Sequence, residues 1–379
     1  MKKRLAGLFL GVAFLFQGNF AFSQFPSGGP LPEPIPLGAT GPAQGMPQSF
    51  GPMMAGMPSD GQEDLSISSR APSAFMEEPY IFESTYYGSV GARALMRQNP
   101  ISLQVTTPGP TLPGQNFNGI NPVMAWGPQV TLGYIFNNHM FEFYGFYIPQ
   151  NSKQISSYAP GQVSSPFGAT GAPAGFAGLF QNASSITTTL NDAVGNVEFN
   201  YRRASNAIKD FEFLFGLRYF NMFENMIVGT DANQTSLGAN PALEANYYTR
   251  TNNNLLGLQM GYEHNMRVLK HLGIGSFAKG SAGVNWWDSN VSLVRGDNLV
   301  GFQGGQNGTT FGSVVEIALY ADFLLLERCR MRAGYNVLWA FGVSEASQQF
   351  NYNFSQTNGS NQIGTTFFGG PSLDFQFLF

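Results

Sequence analysis

The chain has 379 residues, 43% hydrophobic, 14% aromatic and only 11% charged, with a formal net charge of −4. Soluble domains usually carry about a quarter charged residues, so this surface is short of charge. Yet past the N-terminus no stretch reaches the roughly 18 consecutive apolar residues of a membrane helix, and outside that terminus Lys and Arg form no block that would bind nucleic acid.

In chain order, Lys2, Lys3 and Arg4 precede an apolar run over 5–16, and Ala21 and Ser23 fit a cleavage site. This pattern predicts a signal peptide over 1–23 and export. Residues 24–80 are rich in Pro, Gly, Met and Gln. Such a stretch buries too little apolar area to offset its ordering entropy, so it is expected to be a disordered periplasmic segment. Its methionines have no regular spacing and no histidine neighbour, which argues against copper binding.

From 81 to 379 the dominant signal is alternation with period two, the mark of strands with two unlike faces. It predicts an all-β, antiparallel up-and-down transmembrane barrel of about ten strands (8–12). The clearest segments lie at 86–97, 130–135, 139–149, 190–202, 210–219, 256–263, 278–286, 315–323, 330–339 and 371–379. Within each, the charged residues share one parity. An arginine facing lipid at mid-bilayer costs about 2–4 kcal/mol, so that parity is assigned to the lumen. The lumen-lining set is Glu142, Asp192, Glu198, Arg202, Glu212, Arg218, Glu263, Lys279, Glu316, Asp322, Arg332 and Asp374. Acids outnumber bases in it, so a conducting lumen would lean toward cations.

Short joins are expected near 137–138, 204–209, 265–271 and 327–329. Long ones, rich in Gly, Asn, Ser and Thr, are expected near 98–125, 150–187, 230–246, 288–310 and 346–363. Short turns on one side and long loops on the other are the asymmetry of an outer-membrane barrel. All four tryptophans, Trp126, Trp286, Trp287 and Trp339, then fall toward the loop side, where an aromatic girdle belongs. Segments 220–229 and 290–302 are either strand extensions or an added hairpin.

The chain closes on Pro371-Ser-Leu-Asp-Phe-Gln-Phe-Leu-Phe379. Phe375, Phe377 and Phe379 share the apolar face to the last residue. This resembles the C-terminal signal of bacterial outer-membrane β-barrels, and the resemblance implies the barrel-assembly machinery and outer-membrane lipid as partners. A secreted β-sandwich or a lipocalin-like barrel would alternate equally well with its apolar face inward. The signal peptide, the scarcity of charge and the terminal Phe favour lipid outside and an outer-membrane location.

Tyr87-Gly-Ser-Val-Gly-Ala-Arg-Ala-Leu-Met-Arg97, Asn99-Pro-Ile-Ser-Leu-Gln-Val-Thr-Thr-Pro-Gly-Pro110 and Trp126-Gly-Pro-Gln-Val-Thr-Leu-Gly-Tyr134 follow one another. Together this first strand, proline, Val-Thr-Thr loop and Gly-rich hairpin strand resemble the opening of a β-barrel porin family of planctomycete bacteria. The resemblance covers roughly 86–379 and implies fold and location more than transport.

Enzyme chemistry is not expected. His139, His264 and His271 fall on turns, away from the loop rim, and lack ligand spacing for a metal. Cys329 is the sole cysteine and is expected to be inert. Gly273-Ile-Gly275 lacks the spacing of a dinucleotide loop. The acids Asp231, Asp288 and Asp297 are weak candidates for a divalent ion. No cofactor is expected, and nothing in the sequence fixes an oligomeric state. Barrels of about 8 strands are filled by side chains, whereas open channels have about 16–18. The function expected is therefore a porin-type barrel with a narrow or largely plugged polar lumen for small solutes. The alternative is a structural or adhesive barrel that meets cell-surface ligands through its long loops.

Overall fold

Alternating residues make strands here because each can bury one face and expose the other, and ten of these strands close on themselves. The computed structural model describes residues 85–108, 113–120, 123–136, 139–205, 210–233 and 240–379. The expected signal peptide and the 24–80 segment lie outside the described residues.

The barrel strands are β1 (Thr85–Arg97), β4 (Met124–Phe136), β5 (His139–Val163), β6 (Ala183–Ala204), β7 (Phe211–Asp231), β8 (Glu244–Leu269), β9 (Leu272–Arg295), β10 (Val300–Leu326), β11 (Cys329–Val343) and β12 (Gly364–Leu378). A two-stranded ribbon, β2 (Gln104–Thr106) and β3 (Gln115–Asn116), sits in the first loop. Each barrel strand pairs antiparallel with its chain neighbours, and β1 pairs with both β4 and β12, so the sheet has no seam. Where the end of the chain meets the first strand, the Phe379 amide donates to the Tyr86 carbonyl at 2.8 Å.

Paired residues can be followed once around the wall, from Arg97 through Phe368, Leu338, Glu316, Lys279, Gly261, Leu214, Arg202, Met140 and Ile135. The path returns to β1 at Thr85, twelve residues lower. For ten strands that stagger corresponds to a tilt of about 40° from the barrel axis.

The strands on one side are long. β8 and β10 run for 26 and 27 residues, against 13 for β1 and β4. The expected long loops at 150–187 and 288–310 are therefore corrected. β5 continues to Val163, while β9 and β10 meet in a turn over 296–299, so 290–302 is strand extension and no hairpin is added.

The reason the sequence misleads here is that the apolar face changes sides partway up. In the turn-side half, the outward residues are apolar: Leu258 is 74% exposed, Phe311 71%, Leu319 67% and Met260 66%. A row of paired outward residues, Tyr219–Leu256–Val284–Phe311, marks the top of this belt. On β8 the belt runs over 256–268, roughly 30 Å at 3.4 Å per residue and this tilt.

Above it the outward rows read Asn221–Asn254–Trp286–Thr309, then Phe223–Asn252–Asp288–Asn307, then Asn225–Arg250–Asn290–Gly305. Inward, a polar level at Glu224, Thr251 and Ser289 gives way higher up to apolar residues, as with Met226, Val228, Tyr247, Val291, Leu293 and Phe302, all buried. Trp126 and Trp286 lie outward, about half exposed, but Trp287 is turned inward and buried, which corrects the expectation that all four tryptophans join an outer girdle.

Candidate functional site: the barrel interior

Ionic contacts between strands that are not neighbours can form only across the lumen, and they identify the inward face. Near the turns, Arg202 on β6 meets Glu142 at 3.0 Å and Glu212 at 2.9 Å, and also Glu263 on β8. Arg332 joins Glu263 at 2.9 Å to Asp322 at 2.8 Å, and Arg330 contacts Asp322 at 3.2 Å. Tyr87 donates to Glu142 at 2.7 Å and Tyr320 to Glu263 at 2.5 Å.

One level up, Glu316 on β10 receives Arg93 from β1 at 2.7 Å and Arg218 from β7 at 2.9 Å. Lys279 lies 2.8 Å from Glu198 and 3.4 Å from Glu316. Arg218 and Glu316 are both 0% exposed. Neutral partners complete this level: Asn196 and Gln259 each donate to Glu198 at 2.9 Å.

All twelve lumen candidates are thus turned inward and engaged. Asp192 pairs with Lys153 at 2.9 Å, and Asp374 accepts from Gln129. Sequence reasoning missed part of the set. Arg97 meets Glu224 at 2.6 Å and Glu345 at 3.1 Å. Glu224 keeps the parity of Arg218 on β7, which is the signal that could have found it. Lys153 follows a register shift between Ile148 and Asn151 that reverses its parity. With Arg93, Arg97, Lys153 and Arg330 added, the acid excess expected in the lumen is nearly offset.

Reading β7 upward gives the layers in order: Arg218, then Phe220 and Met222, then Glu224, then Met226 and Val228. The first apolar layer also takes Leu95, Phe146, Val194, Leu255, Val314, Leu338 and Phe368, drawn from β1, β5, β6, β8, β10, β11 and β12. Two inward polar residues share its rows, Asn196 paired with Phe220 and Asn285 paired with Leu255, and both are buried and hydrogen-bonded.

Above it, the segment over 344–363 folds into the barrel, which corrects its expected place as an outer loop. Gly342 adopts a φ of +70° at the register shift that ends β11 and turns the chain inward. Asn253 then donates to the Ser344 carbonyl at 2.8 Å and accepts from the Ser344 amide at 2.7 Å. The Ala346 amide donates to Glu224 at 2.9 Å.

Phe117 from the first loop, Phe167, Phe176 and Phe180 from 164–182, and Phe350 and Phe354 from 344–363 pack with Tyr247 and Phe302 into an aromatic cap. Shortening the 164–182 loop would remove core. It is not an independent appendage. Tyr352 donates to the Gln104 carbonyl at 2.9 Å, and burial raises its phenol pKa.

A cavity of about 110 Å³ remains at the turn side, lined by residues that include Arg93, Gln129, Tyr144, Lys279 and Asp374. His139, His264 and His271 stand apart near the turns. Among the described residues no group of His, Cys, Asp and Glu is placed to hold a metal. Asp231 and Asp288 hydrogen-bond to Asn233 and Asn252, and Asp297 bonds to Arg295, which holds its carboxyl at about 2. Cys329 is half-buried and free.

No protein-family model matches this chain, and no curated protein does. Among solved structures it is similar to the outer membrane protease OmpT of Escherichia coli, at 8% identity over 78% of this chain and 96% of that one, with a TM-score of 0.37. It is also similar to the Pseudomonas putida toluene transporter TodX, at 10% identity over 81% and 94%, TM-score 0.31. A third is a Pseudomonas aeruginosa FadL homologue, at 10% identity over 83% and 95%, TM-score 0.24. Likenesses this distant carry no activity to this chain.

Proposed function

We propose that this chain is an outer-membrane β-barrel of porin type whose lumen is sealed to passive flow, and that its interactions are made by the end projecting beyond the membrane. The apolar belt supports the membrane placement, because exposed residues such as Leu258, Met260, Leu319 and Phe311 would otherwise face water all round the wall. The observation that supports the sealed lumen is the apolar layer at Phe220 and Leu255 with the 344–363 segment packed above it, the two polar residues in its rows, Asn196 and Asn285, being held in hydrogen bonds to other interior groups. The projecting strands and the aromatic cap favour interaction at that end over conduction. Membership in the planctomycete porin family belongs to the same proposal and rests on the segments at 87–110 and 126–134.

Folded in detergent and left unheated, the chain should migrate on a denaturing gel differently from the boiled chain, and it should fractionate with outer membranes. Identical migration together with recovery as a soluble periplasmic protein would remove the membrane assignment.

A further inference from the structure

Two members of the lower ionic network line the turn-side cavity of about 110 Å³ with hydrogen-bonding capacity unfilled. Arg93 is 3% exposed. Its Nη2 donates to Asn336 at 2.8 Å and lies 2.7 Å from Glu316, but its Nε and Nη1 are buried with no hydrogen-bond partner among the described residues. Asp374, 8% exposed, accepts from the Gln129 amide and makes no ion pair among the described residues. Arg332 and Arg93 act on it electrostatically, yet neither reaches it. Glu142 and Glu263, the other acids lining the cavity, are both paired, with Arg202 and Arg332.

The register sets the spacing of the two groups. Arg93 pairs with Ser372 and Gly91 with Asp374 across β1 and β12, so Arg93 and Asp374 are diagonal neighbours on the inward face, roughly 7–8 Å apart at Cα. A ligand with one charge suits them badly. An anion on Arg93 would face the Asp374 carboxylate, and a cation on Asp374 would face Arg93 and Arg332. A ligand carrying both charges on adjacent carbons meets each group with its opposite, its carboxylate accepting from the free N–H groups of Arg93 and its ammonium donating to Asp374. Volume narrows the choice. A cavity of about 150 Å³ holds benzene, so one of about 110 Å³ limits the ligand to roughly five or six non-hydrogen atoms. Leu214 and Ala318 on the lining accept a methyl group better than a polar side chain. We propose that this cavity binds a small α-amino acid zwitterion, of the size of glycine or alanine, at the end of the barrel opposite the projecting strands. The lining reaches Met140 and Arg330, each the second residue of its strand, so the ligand enters from the turn side.

The test is equilibrium dialysis of the mature chain, refolded in neutral detergent and proven folded by heat modifiability, against radiolabelled L-alanine. The folded chain should retain it, and unlabelled glycine should displace it. Propionate, which lacks the ammonium, ethylamine, which lacks the carboxylate, and L-phenylalanine, which exceeds the cavity, should not displace it even in large excess. Asp374→Asn, an isosteric change at a residue without an ion pair, should keep the fold and weaken retention about tenfold, as expected for the loss of one charged hydrogen-bond partner. Arg93→Lys keeps a charge facing Glu316 but removes the free guanidinium N–H groups, and it should weaken retention by a similar factor. No retention by the folded wild-type chain, displacement by propionate or by ethylamine, or unchanged retention in Asp374→Asn would overturn the inference. If Arg93→Lys does not fold, Asp374→Asn and the displacement series decide it.

Discussion

Tyr262→Arg is expected to destabilise the folded chain in a bilayer by about 2–4 kcal/mol, whereas Asn252→Arg on the same strand face should change stability by less than about 1 kcal/mol. Tyr262 points outward, 43% exposed, in the middle of the belt, and Asn252 lies two rows above its upper edge. Both positions tolerate a long side chain sterically because both point away from the core. Only the surrounding medium differs. Urea midpoints of the two variants in phospholipid vesicles, read from the folded and unfolded gel bands, measure the contrast. Equal and small effects would mean that water surrounds the belt.

Glu316→Ala should be the most damaging single truncation inside the lumen, by about 3–5 kcal/mol, the usual cost of stranding buried charge. Its carboxylate lies within 2.7 Å of Arg93, 2.9 Å of Arg218 and 3.4 Å of Lys279, and its side chain is fully buried. Removing it leaves Arg218 and Lys279 sharing Glu198 and strands Arg93, whose ion pair among the described residues is with Glu316. The same urea assay should show a large loss of stability. Asp297→Asn removes the partner of Arg295 at an exposed turn and should leave the midpoint unchanged, because exposed pairs contribute little. Equal shifts in the two variants would mean that the lumen level is hydrated and screened.

Much of the fold was readable because charge and parity agree in the lower wall. A strand carrying Glu212 and Arg218 on one face and Phe213, Phe215 and Leu217 on the other has one economical placement, and the same holds for Lys279 opposite Val284. The upper wall was misread for a physical reason. Once the outward face meets water it becomes polar, and the inward face turns apolar to pack against the cap, so the alternation persists with its phase reversed. The reversal leaves a mark in the sequence, two adjacent apolar residues pointing opposite ways. Tyr219-Phe220, Leu255-Leu256 and Trp286-Trp287 all sit at it. Read locally, such a pair looks like the end of a strand, and the Asn- and Gly-rich residues beyond it look like loop.

The candidate site was legible as a face and illegible as a set of contacts. Parity puts Arg218 and Glu316 on charged faces, but their meeting depends on a twelve-residue stagger that no single strand encodes. The inward course of 344–363 depends on Asn253, a residue of another strand, and on a positive φ at Gly342.

The most direct test of the sealed lumen is a planar-bilayer recording of the mature chain, made on protein whose heat modifiability proves it folded. The layers at Arg218, Phe220, Glu224 and the aromatic cap predict a silent membrane, with no stepped current under applied voltage. Reproducible ohmic steps from the folded wild-type protein would contradict the account, because they would require a continuous water path through the layer that Phe220 and Leu255 close.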